Sequence, residues 1–361
     1  MKEMNKKFFG TDGVRGEANK FPMTPEIILK LGMSVGSYFA KNNERNIVLI
    51  GKDTRLSGYM LESALISGFT SVGADVILVG PMPTPAVAML TQSLRANLGI
   101  VISASHNLFQ DNGIKIFGPD GYKISDKDEL EIENGIINGV KLSSPDKVGR
   151  ASRLEDEIGR YVENLKLNFK SKSTLYGIKI VIDCANGAAY RVAPAVLREL
   201  GASVISINDE PDGVNINDQC GSTYPKEMVQ KVLSEGADIG FALDGDADRL
   251  VVCDEKGQLV DGDHLIGAIV NYLKAINELK KNHVVATSMS NMGLEVYLES
   301  IGVSLLRSKV GDKYVLEEMI KHGANFGAEK SGHIIFLDNS TTGDGILAAI
   351  KLLSIMLHEN K

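Results

Sequence analysis

Three carboxylates alternate along Asp244-Gly245-Asp246-Ala247-Asp248, and Arg249 follows at once. The apolar runs Ala237–Leu243 ahead and Leu250-Val251-Val252 behind read as buried strands, so the acidic segment is a tight loop between two strands. Carboxylates this close repel one another unless a divalent cation sits among them. An all-oxygen ligand set favours Mg²⁺, Ca²⁺ or Mn²⁺ over zinc. An EF-hand is one competing reading, since Asp244, Asp246, Asp248 and Glu255 fall at loop positions 1, 3, 5 and 12. That motif needs glycine where Arg249 stands, and helices where strands are expected. The other alternative is a solvated acidic hairpin that holds no ion.

Two more polar segments follow apolar runs. The first is Ser103-Ala104-Ser105-His106-Asn107. Ser105 beside His106 is not evidence for a hydrolase dyad: neighbours on an extended chain point to opposite faces, and no Gly-x-Ser-x-Gly elbow is present. Taken alone, Ser105 reads as a loop hydroxyl. Opposite a metal loop and flanked by Arg15 and Lys115, it is placed to carry a phosphoryl group, with cation and basic side chains offsetting the charge that spreads at transfer. The other segment, Glu329-Lys330-Ser331-Gly332-His333, has the density of carboxylate and hydroxyl groups that suits sugar hydroxyls. It also fits a plain polar turn before Ile334-Ile335-Phe336. Near the start, Phe9–Gly16 carries three glycines and Arg15, consistent with backbone that approaches an anion closely. Neither a Walker A loop nor a dinucleotide-binding glycine fingerprint occurs.

Positioning these loops requires an α/β scaffold, and the chain alternates short apolar runs with amphipathic stretches. Strands are expected at 47–50, 75–79, 99–103, 178–182, 204–207 and 284–286; helices at 25–40, 58–71, 188–200, 226–234, 263–279, 313–321 and 345–357. The phrases Ser71-Val72-Gly73-Ala74, Glu199-Leu200-Gly201-Ala202 and Ser300-Ile301-Gly302-Val303 each end a helix on glycine. Further on, Ala96-Asn97-Leu98-Gly99, Ala237-Asp238-Ile239-Gly240 and Ala324-Asn325-Phe326-Gly327 mark the next strand, and one polar segment follows each. Matches in the same order predict a unit written three times. The expected fold is three tandem related α/β domains with mixed sheets around a shared cleft, the loops lying beyond the carboxyl ends of strands. Domain edges are expected near 150 and 256, giving 1–150, 151–256 and 257–361.

Composition narrows the class. The chain has 361 residues, 43% of them hydrophobic, as in a globular protein with ample core, and its net charge of −7 argues against nucleic-acid binding through a basic surface. Cys184, Cys220 and Cys253 are far apart and show no metal-ligand spacing, which fits a reducing cytoplasm. The N-terminus lacks the apolar run of a signal peptide, and no stretch of about 20 apolar residues could span a bilayer. A cytoplasmic protein without membrane contact is expected, as monomer or homodimer; no coiled-coil heptads speak to its assembly.

The segments FGTDGVRG (Phe9–Gly16), SASHN (Ser103–Asn107), DGDADR (Asp244–Arg249) and EKSGH (Glu329–His333) resemble those of the α-D-phosphohexomutases. GKDTRLSG (Gly51–Gly58), DCANGA (Asp183–Ala188) and CGSTY (Cys220–Tyr224) support the resemblance, which runs from Phe8 to the end. It implies a phosphoserine at Ser105, bound to Mg²⁺ together with Asp244, Asp246 and Asp248. The phosphoryl group would pass to a hexosamine phosphate, giving a hexose 1,6-bisphosphate that turns over and returns its other phosphate to the serine. Glu329, Ser331 and His333 would meet the sugar; Arg15, Lys115 and Arg249 would surround the phosphoserine, with Lys115 a proton acceptor. Family members carry a fourth domain with an Arg-x-Ser-Gly-Thr loop for the non-reacting phosphate, and no such loop precedes Lys361. Leu108 stands in place of a common proline, Ala247 of a glycine and Lys330 of a glutamine. Two other expectations remain beside a mutase: a catalytically inactive truncated remnant that binds Mg²⁺ and sugar phosphate, and a metal-dependent sugar phosphatase.

Overall fold

The computed structural model describes residues 7–10, 12–40, 46–169 and 174–359. The chain forms two compact units, Met1–Glu157 with Pro211–Ile216, and Ile158–Glu210 with Asn217–Lys361. The first holds one sheet, in the order Val14–Glu17, Asp111–Phe117, Leu98–Ile102, Ile47–Lys52, Asp75–Pro81 and Ala151–Arg153. The second holds two. One runs Leu259–Val260, Leu250–Asp254, Ile239–Leu243, Lys179–Asp183, Ser203–Ile207; the other runs Ser304–Ser308, His283–Thr287, Phe326–Ala328, Ile334–Phe336.

A single pattern underlies all three sheets. Two parallel strands are laid down, a third adds beside the first, and a fourth returns antiparallel along the third. The third-to-fourth connections are the loops after Ile102, Leu243 and Ala328, which are the three polar segments of the sequence. Each sheet is therefore mixed, and each puts its chemistry at the carboxyl end of a buried parallel strand. Leu98–Ile102 and Ile239–Leu243 are buried at every position, so only the loops that follow them can be polar. The glycines that end the three repeated helices, Gly73, Gly201 and Gly302, all have left-handed φ, of 89°, 100° and 69°.

Element limits shift where the backbone turns left-handed. The helix expected from residue 188 begins at Val192, because Ala185 and Asn186 have φ of 54° and 49° and the chain turns before it coils. The helix expected to 279 stops at Ala275, just before the left-handed Asn277. Helices at Thr84–Ser93, Asp126–Asn138, Glu157–Lys166 and Met292–Ser300 add to those read from periodicity. Ser125 and Asp128 form a reciprocal cap at the start of the second of these. The three cysteines are buried and unbridged, and burial pushes the thiols of Cys220 and Cys253 up to about 12 and about 11. Among the described residues, no helix is long and apolar enough to cross a membrane.

Asp344 begins the last helix, Gly345–Glu359, with Oδ1 accepting from Leu347 N–H at 2.9 Å and Oδ2 from the Tyr161 hydroxyl at 2.8 Å. Burial nevertheless pushes its pKa up to about 6. Because that value exceeds the unfolded one, its contribution to stability is complete below about pH 4 and is lost as pH rises through about 6. Asp183, raised by burial to about 6, has the same sign. We predict that Tm falls between about pH 4 and 6 and that Asp344→Asn reduces that slope, leaving the share of Asp183. Thermal melts across this range check it, and an unchanged slope contradicts it.

Candidate active site

The serine loop is built on a strained residue. Ser105 is buried and has φ of 51°, a left-handed conformation that costs an ordinary residue about 1–2 kcal/mol. Its N–H donates to Ser103 Oγ at 2.9 Å, and Ser103 Oγ donates to Asp53 Oδ2 at 2.6 Å. Its carbonyl accepts from Arg55 Nη2 at 2.9 Å. The same bend brings Ser105 Oγ within 3.4 Å of His106 Nδ1. The expectation that these neighbours face apart fails here, because it assumes extended backbone and Ser105 is not extended.

Arg15 and Lys115 lie on adjacent antiparallel strands of the same sheet, Arg15 opposite Gly113 and Lys115 opposite Val101. Both are directed to Asp12: Arg15 Nη2 bonds its Oδ2, and Lys115 Nζ lies 3.8 Å from the same oxygen. Lys123 bonds Oδ1. Burial would raise the pKa of Asp12, but Lys115, Lys123 and Arg15 together hold it well below the usual carboxylate range. Gly113 is what lets Arg15 approach the serine loop: a Cβ there would come 2.6 Å from the Ser103 carbonyl oxygen and 3.0 Å from Arg15 Cγ. Glu133, on the helix Asp126–Asn138, accepts the N–H groups of Lys7, Phe8 and Phe9 and so anchors the approach to this segment.

In the other unit, Asp244, Asp246 and Asp248 are buried and offer oxygens that all lie within 4.8 Å of one another. Their loop joins two strands, Ile239–Leu243 and Leu250–Asp254, which removes the EF-hand reading. Asp244 closes the loop on itself, its carbonyl accepting from Ala247 N–H at 2.9 Å and its Oδ1 from Arg249 N–H at 3.1 Å. The Gly245 carbonyl accepts from Ala188 N–H at 2.8 Å. Gly187 permits this contact, since a Cβ there would meet Gly245 O at 2.5 Å. A buried set of hard oxygen donors at this spacing fits a small divalent cation.

The third loop packs directly onto this one. Arg249 and His333 form an antiparallel bridge, and Leu250 N–H donates to the Gly332 carbonyl at 3.0 Å. Gly332, at φ of 91°, is required here because a Cβ would lie 2.1 Å from Leu250 O. His333 Nδ1 lies 3.6 Å from Asp248 Oδ1, and Nε2 accepts from Gly343 N–H at 3.1 Å. Burial lowers the pKa of His333, yet Asp248, Asp312 and Glu329 raise it overall. Burial likewise acts against the charge of Arg249, while Asp248, Asp244, Glu329 and Asp246 favour it. Glu329 is buried and accepts from Gly311 N–H at 3.0 Å, whereas Ser331 is exposed. Lys330 turns aside to Asp261 at 3.1 Å.

The structure thus gathers Arg249, His333 and Glu329 around the aspartates in one unit, and Ser105, Arg15 and Lys115 on the sheet of the other. Sequence reasoning missed Asp12, Lys123, Asp53 and Arg55. Asp12 stands inside FGTDGVRG, and Asp53 and Arg55 inside GKDTRLSG, so a charged residue within a glycine-bearing motif was the available signal.

Sequence profiles described as phosphoglucomutase/phosphomannomutase α/β/α domains I, II and III match residues 6–142, 159–257 and 261–361. Over 355 residues the chain is 56% identical to the phosphoglucosamine mutase of Parvibaculum lavamentivorans, spanning 98% of this chain and 79% of that protein. The chain belongs to the phosphoglucomutase/phosphomannomutase family. The phosphoglucosamine mutase of Gluconacetobacter diazotrophicus is 57% identical over 355 residues, 98% of this chain and 78% of that one. Among solved structures, a phosphoglucomutase/phosphomannomutase family protein from Burkholderia thailandensis superposes with a TM-score of 0.85 at 25% identity, covering 97% of this chain and 77% of that one.

Two outcomes follow. Mg²⁺ or Mn²⁺ at about 100 times its Kd should stabilise the protein by about 2.7 kcal/mol, read as a rise in Tm. Asp246→Asn should melt higher than the parent without cation, because one of three repelling charges is gone, and should lose most of the cation-dependent rise. A parental rise in that variant contradicts the cation site. Separately, Ala247 is buried with φ of 57°. Ala247→Gly should therefore stabilise the fold by about 1 kcal/mol in denaturant titration, and a destabilised variant contradicts the strain argument.

Proposed function

We propose that this chain is a phosphoglucosamine mutase that interconverts glucosamine 6-phosphate and glucosamine 1-phosphate through a phosphoserine at Ser105 and a hexose bisphosphate. Identity of 56% over 98% of the chain to a protein of that activity supports the reaction class. The observation that carries the site assignment is topological: a strained, buried serine and a buried aspartate triplet occupy the same third-to-fourth-strand connection in two sheets of one pattern.

In the forward half-reaction the sugar hydroxyl attacks the phosphoserine phosphorus. The new sugar O–P bond forms as the Ser105 Oγ–P bond breaks. The Lys115 ammonium gives a proton to the departing Ser105 Oγ and accepts the proton of the sugar hydroxyl in its place. Arg15 stabilises charge on the moving group, and Asp12 holds the Arg15 and Lys115 side chains near one another. Asp244, Asp246 and Asp248 would hold Mg²⁺, which when bound neutralises phosphoryl oxygens. Glu329, Ser331 and His333 form the sugar-recognition loop, and hexosamine phosphate and hexose 1,6-bisphosphate are the partners this assignment requires. The functional division 1–150, 151–256 and 257–361 accompanies it: phosphoserine, metal and sugar recognition.

Two sequence departures that favour an inactive remnant are neutral in this arrangement. Leu108 contributes its backbone carbonyl, which any residue supplies, and Lys330 is paired with Asp261. The test is Ser105→Ala. Isomerisation of glucosamine 6-phosphate should fall to background, and the one-phosphate mass increase after incubation with glucose 1,6-bisphosphate should vanish. Turnover retained in the variant removes serine as the carrier, and release of inorganic phosphate faster than isomer formation by the parent favours the phosphatase instead.

A further inference from the structure

Arg55 is fully buried, and so is its partner Asp53. Its guanidinium has five N–H donors, and each has an acceptor. Nε donates to Asp53 Oδ2 at 2.8 Å. One terminal nitrogen, Nη2, serves the carbonyls of Ser105 at 2.9 Å and Asn107 at 2.8 Å. The other, Nη1, serves those of Leu108 and of Asp111 at 3.1 Å. The acceptors span the whole turn between Leu98–Ile102 and Asp111–Phe117.

We propose that Arg55 is the positioning residue of the phosphoryl-carrying serine: its guanidinium, keyed to Asp53, fixes the turn so that Ser105 is held in its left-handed conformation with Oγ at the reacting position. This inference rests on the assignment of Ser105 as carrier. Ser105 is gripped at both ends of its own peptide units, its carbonyl by Arg55 and its N–H through Ser103 Oγ to Asp53. Asp53 is locked in turn, Oδ1 accepting from Arg55 N–H at 3.0 Å and its own N–H donating to Ile102 O at 3.0 Å. Burying an ion pair is a poor route to stability, since apolar packing of equal volume serves as well or better. What the pair gives is geometry: a planar fork fits four carbonyls at set angles, and lysine, with three donors and no plane, cannot replace it. Arg55 touches no reacting atom, so its effect must come through the placement of Ser105.

The experiment is the rate of Ser105 phosphorylation by glucose 1,6-bisphosphate, followed by mass spectrometry on the whole chain with thermal melts in parallel. Arg55→Lys and Arg55→Ala should slow it at least about 100-fold, the size expected when a reacting group is displaced by about 1 Å. The half-saturating bisphosphate concentration should move by less than about threefold, since binding groups are untouched. Guanidinium ion added to Arg55→Ala should restore part of the lost rate by refilling the fork that holds the turn. Ser103→Ala, which cuts only the relay to the N–H, should slow the reaction about tenfold while the protein stays folded, with a modest fall in Tm from the buried groups left unpaired. An Arg55→Lys rate within about threefold of the parent overturns the inference, as does loss of rate that only follows loss of Tm with no rescue. If neither Arg55 variant folds, a parental rate in folded Ser103→Ala overturns it. A parent that is not phosphorylated at Ser105 fails the carrier assignment itself, an outcome distinct from all of these.

Discussion

A buried parallel strand that must hand over to an antiparallel neighbour leaves the chain a few residues in which to reverse, and the rest of this structure depends on how that reversal is made. It happens after Ile102, Leu243 and Ala328. Each turn contains a left-handed residue: Ser105 at φ of 51°, Ala247 at 57° and Gly332 at 91°. Only the third uses the residue type that accepts this freely. The other two hold the conformation by surrounding bonds, and strain retained in this way marks sites where placement matters more than stability.

Charge is handled differently in the two units. In the unit that holds Ser105, two carboxylates are outnumbered by cations: Asp12 faces Arg15, Lys115 and Lys123, and Asp53 faces Arg55. In the aspartate loop three buried carboxylates share one space, with Arg249 and His333 at its edge. A cationic serine loop suits a phosphoryl group, and an acidic loop of oxygens suits a hard cation. The two sites are chemically complementary, which is what phosphoryl transfer requires of them.

Much of this is legible in the sequence. The strands at 47–50, 75–79 and 204–207 lie within observed ones, and the threefold repeat follows from helix-ending glycines that do adopt left-handed φ. The Asp244–Asp248 alternation announces a carboxylate cluster because the period of the loop brings its oxygens together. Periodicity could not find the start of the helix at Val192, since apolar Ala188 and Ala189 continue the pattern while the backbone does not coil. Nor could it find Arg55. A charged residue with no apolar rhythm looks like solvent-exposed loop, and its complete burial is decided by carbonyls fifty or more positions away. Such long-range backbone acceptors carry no side-chain signature.

In the proposed reaction Ser105 and the aspartates act on one phosphoryl group. The most direct measurement is ³¹P NMR of the phosphorylated chain titrated with Mn²⁺, whose paramagnetism broadens nearby phosphorus signals. Substoichiometric Mn²⁺ should broaden the phosphoserine resonance, and Asp246→Asn should abolish the effect. A sharp phosphoserine signal in the presence of bound Mn²⁺, or equal broadening in that variant, would contradict the proposed reaction.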